Sequence, residues 1–153
     1  MKILMVCLGN ICRSPLAEGI LADKINTHGL DWEVDSAGTS GWHVGEAPDH
    51  RSIAVANQNG IDILAQKSRQ IQVADLAEFD LIYAMDGSNF NDIRKMANGP
   101  EQLEKIQLIM NMVDPGRNQG VPDPYYGSDG FGQVFEMLDR ACDKIVEQYA
   151  TTT

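Results

Sequence analysis

The 153-residue sequence has little of what would tie it to a nucleic acid, a membrane or an oxidising compartment. Lys and Arg number 12 against 22 Asp and Glu, and the formal net charge of −10 disfavours nucleic acid or an anionic membrane as partner. No hydrophobic run is long enough to span a bilayer, and the apolar start is too short for a secretory signal. Three cysteines cannot form a complete disulfide framework. Together these absences favour a cytoplasmic setting.

The composition that remains is that of a globular domain. Hydrophobic residues make up 43% of the chain and charged residues 22%, which excludes a disordered polypeptide. The length is sufficient for one hydrophobic core without disulfides. Because no internal repeat, linker or low-complexity tract divides the sequence, we predict a single domain over residues 1–153.

Short apolar runs alternate with helical periodicities along the chain. The predicted buried parallel strands cover residues 3–6, 32–35, 81–85 and 106–110. A first helix is predicted to begin at Ser14, taken as its N-cap, and to end near Gly29; three more are predicted over residues 48–59, 88–96 and 131–149. This alternation predicts an α/β three-layer sandwich, in which helices flank a four-stranded parallel sheet.

The most informative segment, residues 6–15, reads Val-Cys-Leu-Gly-Asn-Ile-Cys-Arg-Ser-Pro. A strand ends here, a tight loop follows and a helix begins, so that backbone N–H groups and the helix N-terminus can bind a tetrahedral oxyanion. Arg13 adds a planar fork for two phosphate oxygens. The N–H dipoles stabilise the thiolate of Cys7, which can attack phosphorus and form a phosphocysteine that water then hydrolyses. The Ser14 hydroxyl is a candidate hydrogen-bond donor to that sulfur.

Departure of the ester's alcohol requires a proton donor, and Asp123 is the best candidate. It lies in the segment Val-Pro-Asp-Pro-Tyr-Tyr-Gly, where two prolines restrict the backbone around the carboxyl group. Asp123 would protonate the leaving oxygen first and then activate water for the second step. Tyr125 and Tyr126 are candidates for an aromatic wall beside a flat substrate.

Each of these residues also has a simpler structural interpretation. A Cys at the end of a buried strand is usually a small core residue, and Pro-Asp-Pro is usually a turn. The arrangement of Cys7, Arg13 six positions later and a Ser-Pro helix start favours catalysis over packing. Asp123 then follows from the chemistry, because that loop needs an acid.

Other polar residues give no comparable pattern. Cys142 lies on the apolar face of the last predicted helix, where core packing is favoured. His28, His43 and His50 share no ligand spacing, so surface or loop roles are predicted for all three, and the cysteine spacing does not match a metal motif. No metal site is therefore predicted.

The sequence resembles the low-molecular-weight protein tyrosine phosphatases. Four segments occur in the family's order and spacing, spread over nearly the whole chain: residues 7–15, 35–39, 84–86 and 123–126. The resemblance implies a sheet in the flavodoxin-like order 2-1-3-4 and no metal or organic cofactor. It also implies hydrolysis of phosphotyrosine with Cys7 as nucleophile, Arg13 as phosphate clamp and Asp123 as general acid and base.

The same resemblance implies further site residues. Asn10 is expected to hold the loop in an unusual backbone conformation through a hydrogen bond to Ser36, and Asp86 is expected to be a supporting carboxylate. Cys12 is expected to form a reversible disulfide with Cys7 under oxidation. The residues expected to contact phosphate or the substrate ring are Leu8, Gly9, Asn10, Ile11, Cys12, Ser14, Trp42, Tyr125 and Tyr126. The chain departs from the animal members of the family at Gln66, where they carry a histidine.

The implied partners are phosphotyrosine-containing proteins, a tyrosine kinase being one candidate, together with inorganic phosphate or oxyanion inhibitors. Three alternatives stay open. An arginine phosphatase shares the scaffold, but such relatives usually carry Thr where this chain has Ile11. An arsenate reductase would need a relay of further cysteines, for which Cys142 on a core helix is poorly suited. A phosphate-binding module without catalysis conflicts with the retention of nucleophile, clamp and acid together.

Overall fold

The computed structural model describes residues 1–126 and 130–150. Within those ranges, four strands form one parallel sheet in the order β2-β1-β3-β4, which confirms the predicted fold class and strand order. The strands are β1 (Lys2–Cys7), β2 (Glu33–Gly38), β3 (Leu81–Ala84) and β4 (Ile106–Leu108).

Helices cover both faces of this sheet. They are α1 (Arg13–Thr27), α2 (His50–Gln58), α3 (Val73–Glu78), α4 (Gly87–Met96), α5 (Pro100–Lys105) and α6 (Gly130–Ala150), with short 3₁₀ helices at Ile109–Met112 and Pro124–Tyr126. No helix in this described part of the chain is both long and apolar enough to cross a bilayer.

Side chains of the central strand β1 belong to two separate hydrophobic cores. Its side chains alternate, so that Ile3 and Met5 pack with α1 and α6 on one face, while Leu4 and Val6 pack with α3 and α4 on the other. Every side chain of β1 from Ile3 to Cys7 is buried. The last of them, Cys7, is thereby held at the carboxyl end of the most enclosed strand of the sheet.

Several predicted boundaries were wrong. The first helix begins at Arg13 with Cys12 as its N-cap, so Ser14 is a helical residue and not the cap. Strand β2 begins one residue later than predicted and continues to Gly38, because it pairs with β1 up to Cys7. Strand β4 ends at Leu108, opposite the last residue of β3, and the chain then turns into a 3₁₀ helix.

Two short helices were missed, α3 and α5, each six residues long. Pro100, which follows the end of α4 at Met96, is the first residue of α5. Neither helix is long enough to show an apolar periodicity. The carboxyl ends of β1, β2 and β3 nevertheless meet at one edge of the sheet, where the predicted site residues converge.

Candidate active site

The loop of residues 7–13, called here the phosphate loop, connects β1 to α1. Its carbonyl groups accept hydrogen bonds from three surrounding segments, which leaves its N–H groups for the interior of the loop. The Asn10 N–H already lies 3.3 Å from Cys7 Sγ. The outer bonds run from Ser40 N (2.9 Å) and Oγ (3.0 Å) to the Leu8 carbonyl, from Ser68 Oγ to the Gly9 carbonyl (3.1 Å) and from Asp49 N to the Ile11 carbonyl (2.7 Å).

Asn10 is the conformational centre of this loop. Its φ of 57° lies in the left-handed region, which costs a residue with a side chain roughly 1–2 kcal/mol. Three hydrogen bonds hold it there: its Nδ2 donates to Ser14 Oγ (2.8 Å) and Ser36 Oγ (2.9 Å), and its Oδ1 accepts from Arg69 N (3.0 Å). The hydrogen bond expected between Asn10 and Ser36 is therefore present.

The Cys7 sulfur lies 3.0 Å from Ser14 Oγ, and both residues are buried. Because Ser14 Oγ already accepts a hydrogen from Asn10, its own O–H is free to point at the sulfur. Together with the Asn10 N–H, this gives a Cys7 thiolate two donors. Both donors are placed to hydrogen-bond to negative charge on the sulfur during the reaction.

Arg13 is only 3% exposed and its guanidinium is held on two sides. Its Nη1 donates to Asp86 Oδ2 (2.6 Å) and to the Val121 carbonyl (3.0 Å), while Nη2 lies 3.7 Å from Asp123 Oδ2. Burial opposes the charge of Arg13, yet the Cys7 sulfur and Asp86 raise its pKa above the ordinary value. Since Asp86 is also the N-cap of α4, its carboxylate fixes the arginine relative to the sheet.

The phosphate loop forms the floor of a pocket of about 160 Å³. Trp42 and Tyr125 stand at its mouth, 73% and 41% exposed, and Asp123 reaches it from the loop of residues 121–126, called here the acid loop. The side chain of Tyr126 lies outside the part of the structure that is described. The lining residues are Cys7, Leu8, Gly9, Ile11, Cys12, Arg13, Trp42, His43, Asp123 and Tyr125.

Two residues of this region were not predicted from the sequence to belong to the site. His43, predicted to have a surface or loop role, lines the pocket, and its Nδ1 lies 2.9 Å from Glu46 Oε2. Its position directly after Trp42 is the signal that could have identified it. Glu18 extends the network behind the loop, because its Oε1 accepts the Ser36 hydroxyl at 2.6 Å. One turn of α1 separates it from Ser14, which was the available clue.

The remaining candidates lie at or near the same loop. Cys12 is buried beside the pocket, and burial raises the pKa of its thiol to about 12, with the Asp49 carboxylate adding to the effect. Gln66 donates through Nε2 to the Pro15 carbonyl in the first turn of α1 (3.1 Å). Cys142 is fully buried in the core, as predicted. Among residues 1–126 and 130–150, no group of three His, Cys, Asp or Glu side chains is placed to hold a metal ion.

Glu18 gives a test of pH-dependent stability. Burial raises its pKa to about 7 from the ordinary 4.5, although the Ser36 hydrogen bond opposes that shift. Between these values the folded protein keeps a proton that the unfolded chain has lost, so the free energy of unfolding falls as pH rises. Glu18→Gln should therefore gain on the order of 2–3 kcal/mol relative to wild type between pH 5 and pH 8 in urea titrations. The exposed Glu136→Gln should show no such gain; an equal gain in both would exclude Glu18 as the cause.

The chain is similar to known phosphatases along nearly its whole length. Residues 2–152 match the family model described as low molecular weight phosphotyrosine protein phosphatase. A phosphatase of that name from Schizosaccharomyces pombe is 40% identical over 141 residues, which is 90% of this chain and 89% of the relative. The crystal structure of a protein tyrosine phosphatase from Entamoeba histolytica, with Hepes in its active site, has a TM-score of 0.92 and 35% identity, covering 99% of this chain and 97% of that one. That of an arginine phosphatase from Drosophila has a TM-score of 0.91 and 35% identity over the full length of both chains.

Proposed function

The chain belongs to the low molecular weight phosphotyrosine protein phosphatase family, a family of cysteine-dependent hydrolases, and on that premise we propose how its own residues perform the reaction. The observation that carries the proposal is that one pocket holds the Cys7 sulfur, the Arg13 guanidinium and the Asp123 carboxyl group. In this proposal one domain, residues 1–153, contains the whole catalytic apparatus.

In the first step the Cys7 thiolate attacks the phosphorus of a bound phosphate monoester. Two oxygens of the phosphate accept hydrogen bonds from the Arg13 guanidinium, and the N–H groups of the phosphate loop bind the others. The bond between phosphorus and the ester oxygen breaks, and Asp123 gives its proton to that oxygen as the alcohol leaves. The products are phosphocysteine, the free alcohol and an ionised Asp123.

In the second step water attacks the phosphorus of the phosphocysteine. The ionised Asp123 accepts the proton of that water, and the bond between phosphorus and sulfur breaks. The Ser14 hydroxyl, 3.0 Å from Cys7 Sγ, stabilises the departing thiolate. Inorganic phosphate is released and both catalytic residues return to their starting states.

The walls of the pocket favour an aromatic ester as the substrate. Ile11, Trp42 and Tyr125 provide apolar and aromatic surfaces that suit a phenyl ring above the phosphate. A phosphoarginine would place a polar guanidinium against the same surfaces. The scaffold itself does not discriminate, because the arginine phosphatase from Drosophila matches it along its whole length. We therefore place the choice of substrate in these side chains, Ile11 foremost.

The test compares two substrates under identical conditions. Phosphate release is measured from a phosphotyrosine peptide and from phosphoarginine, in the presence of a chelator, with Cys7→Ser as control. We expect rapid release from phosphotyrosine alone, because only an aromatic ester fills the pocket. Preference for phosphoarginine would overturn the role given to Ile11. Release that requires a divalent metal would overturn the cysteine mechanism.

Cys12 is proposed as a reversible protector of the nucleophile. Hydroperoxide would oxidise the Cys7 thiolate to sulfenic acid, and the Cys12 thiol would condense with it to a disulfide and water. Both cysteines are free, buried and line one pocket, which supports this pairing. After brief peroxide treatment and then excess dithiol, wild type should recover most of its activity and Cys12→Ser several-fold less. Equal recovery in both would contradict the proposal.

The setting and partners are proposed on the same basis. Three free, buried thiols suit a reducing compartment, so we assign the protein to the cytoplasm. Its partners there would be phosphotyrosine-containing proteins, with a tyrosine kinase as the candidate class, and inorganic phosphate or other oxyanions would act as inhibitors. Hepes, whose sulfonate group is an oxyanion, lies in the active site of the Entamoeba relative.

A further inference from the structure

We propose that Arg51 is a positioning residue that holds Asp123 above the phosphate loop, by linking Asp49 to Tyr125. The inference rests on the proposed function, in which Asp123 is the general acid. Arg51 belongs to the first turn of α2, which contributes none of the three groups assigned to the chemistry. It nevertheless contacts the acid loop directly and is joined to the phosphate loop through Asp49.

The first contact is with the phosphate loop, through Asp49. The Asp49 backbone N–H donates to the Ile11 carbonyl at 2.7 Å, which attaches the start of α2 to the loop. The Asp49 side chain caps the helix, because its Oδ1 accepts the Arg51 N–H at 2.9 Å. Its two oxygens also accept from Arg51 Nε and Nη2, both at 3.0 Å. This two-point pairing fixes the plane of the guanidinium as well as its position.

The second contact is with the acid loop, at Tyr125. Arg51 Nη2 donates to the Tyr125 carbonyl at 3.2 Å. The guanidinium carbon also lies 5.5 Å from the centre of the Tyr125 ring and 4.7 Å from that of Phe131 in α6. A planar cation between a carbonyl and two aromatic rings holds both the backbone and the side chain of Tyr125.

Asp123 lies midway between two anchors of the acid loop. Two residues before it, Val121 donates to the Met85 carbonyl at 2.7 Å and accepts from Arg13 at 3.0 Å. Two residues after it, Tyr125 is held by Arg51 and donates its N–H to Asp123 Oδ1 at 3.0 Å. A displacement of Tyr125 therefore moves the carboxyl group directly. Without Arg51 the acid loop loses the hydrogen bond to the Tyr125 carbonyl, downstream of Asp123.

A purely structural role explains this arrangement less well. The side chain of Arg51 is 34% exposed, so solvent and salt partly screen its pair with Asp49 and reduce what that pair contributes to stability. Orientation matters far more for catalysis, where a misplacement of about 1 Å can cost about 10²-fold in rate. The loss of Arg51 should thus affect proton transfer more than folding.

The test uses Arg51→Ala and Arg51→Lys with a series of aryl phosphates. The value of kcat/KM is measured for 4-nitrophenyl phosphate, whose leaving group needs little protonation, and for phenyl phosphate, whose leaving group needs more. Arg51→Ala should lower kcat/KM about 10-fold for phenyl phosphate and less than about 2-fold for 4-nitrophenyl phosphate. Arg51→Lys, which can still donate to the Tyr125 carbonyl, should fall between wild type and Arg51→Ala. Inhibition by inorganic phosphate should stay within about 2-fold of wild type, because the phosphate loop itself is unchanged.

Arg94→Ala is the matched control. Arg94 is exposed, stands in the last turn of α4 and rests on the ring of Phe90, with 5.3 Å between the guanidinium carbon and the ring centre. It should leave both substrates unaffected. An equal loss of kcat/KM for both substrates in Arg51→Ala, or no loss for either, would overturn the inference. If Arg51→Ala does not fold, Arg51→Lys decides by the same criterion.

Asp123→Asn separates this inference from the proposed function. It should show a stronger dependence on the leaving group than either Arg51 variant. If it shows none, Asp123 is not the acid and the proposed function is at fault. If Asp123→Asn shows the dependence and the Arg51 variants do not, only the role of Arg51 is refuted.

Discussion

Cys7→Ser is expected to release phosphate from a phosphotyrosine peptide at least about 10⁴-fold more slowly than wild type. The hydroxyl of serine ionises far less readily than a thiol, so the two donors around position 7 cannot make it a comparable nucleophile. The pocket itself should survive, because the loop is held by bonds that do not involve the sulfur. Steady-state phosphate release and binding of inorganic phosphate by calorimetry measure the two properties separately.

Cys142→Ala is the control for this experiment. Cys142 is fully buried in the core next to α1, so its substitution tests whether the loss of any cysteine impairs the enzyme. It should retain most of the wild-type activity. Residual turnover above about 1% in Cys7→Ser would mean that another group attacks phosphorus, and Cys12 in the same pocket would then be the next nucleophile to examine.

Arg13→Lys is expected to lower kcat/KM for the same peptide by about 10²–10³-fold. Lysine keeps the positive charge but has only three donors on one nitrogen, so it cannot serve Asp86, the Val121 carbonyl and two phosphate oxygens at the same time. In the wild type, Arg13 Nη1 donates to Asp86 and to the Val121 carbonyl, while Nη2 points toward Asp123. The substitution should also weaken inhibition by inorganic phosphate, measured in the same assay.

Arg94→Lys provides the comparison for that result, since Arg94 is exposed and outside the pocket. It should leave kcat/KM and phosphate inhibition unchanged. If Arg13→Lys retained phosphate affinity and lost only turnover, the guanidinium would act on the transition state and not as a clamp for the ground state. If neither quantity changed, Arg13 would have no place in the mechanism.

The central chemistry could be predicted because it is local in sequence. Cys7, Arg13 and Ser14 belong to one strand-loop-helix unit, and its backbone N–H groups need no distant partner to form an oxyanion site. Alternating strands and helices were likewise sufficient for the parallel sheet. The acid Asp123 is distant in sequence, and the chemical need for a proton donor and the family resemblance connected it to the loop.

What could not be predicted depends on tertiary contacts. Strand β4 stops at Leu108 because β3 offers no further partner, a fact that hydrophobicity cannot show. His43 faces the pocket because the turn that carries it is bonded to Ser68, beside the phosphate loop. Arg51 looks like an ordinary surface arginine until its contacts with Asp49 and Tyr125 are seen. Each of these residues acquires its role from a segment far away in the chain.

The alternation of side chains along β1 has a consequence for how this chain can vary. Because side chains on the two sides of the strand fill different cores, adding or removing one residue within β1 would exchange the contents of the two layers. The same slip would turn the sulfur of residue 7 through half a rotation, away from Ser14. The positions of the core side chains and of the Cys7 sulfur thus depend on the same alternation. The number of residues in β1 cannot change without disturbing both. The catalytic activity of this enzyme is therefore also a sensitive measure of whether β1 has paired in the correct register.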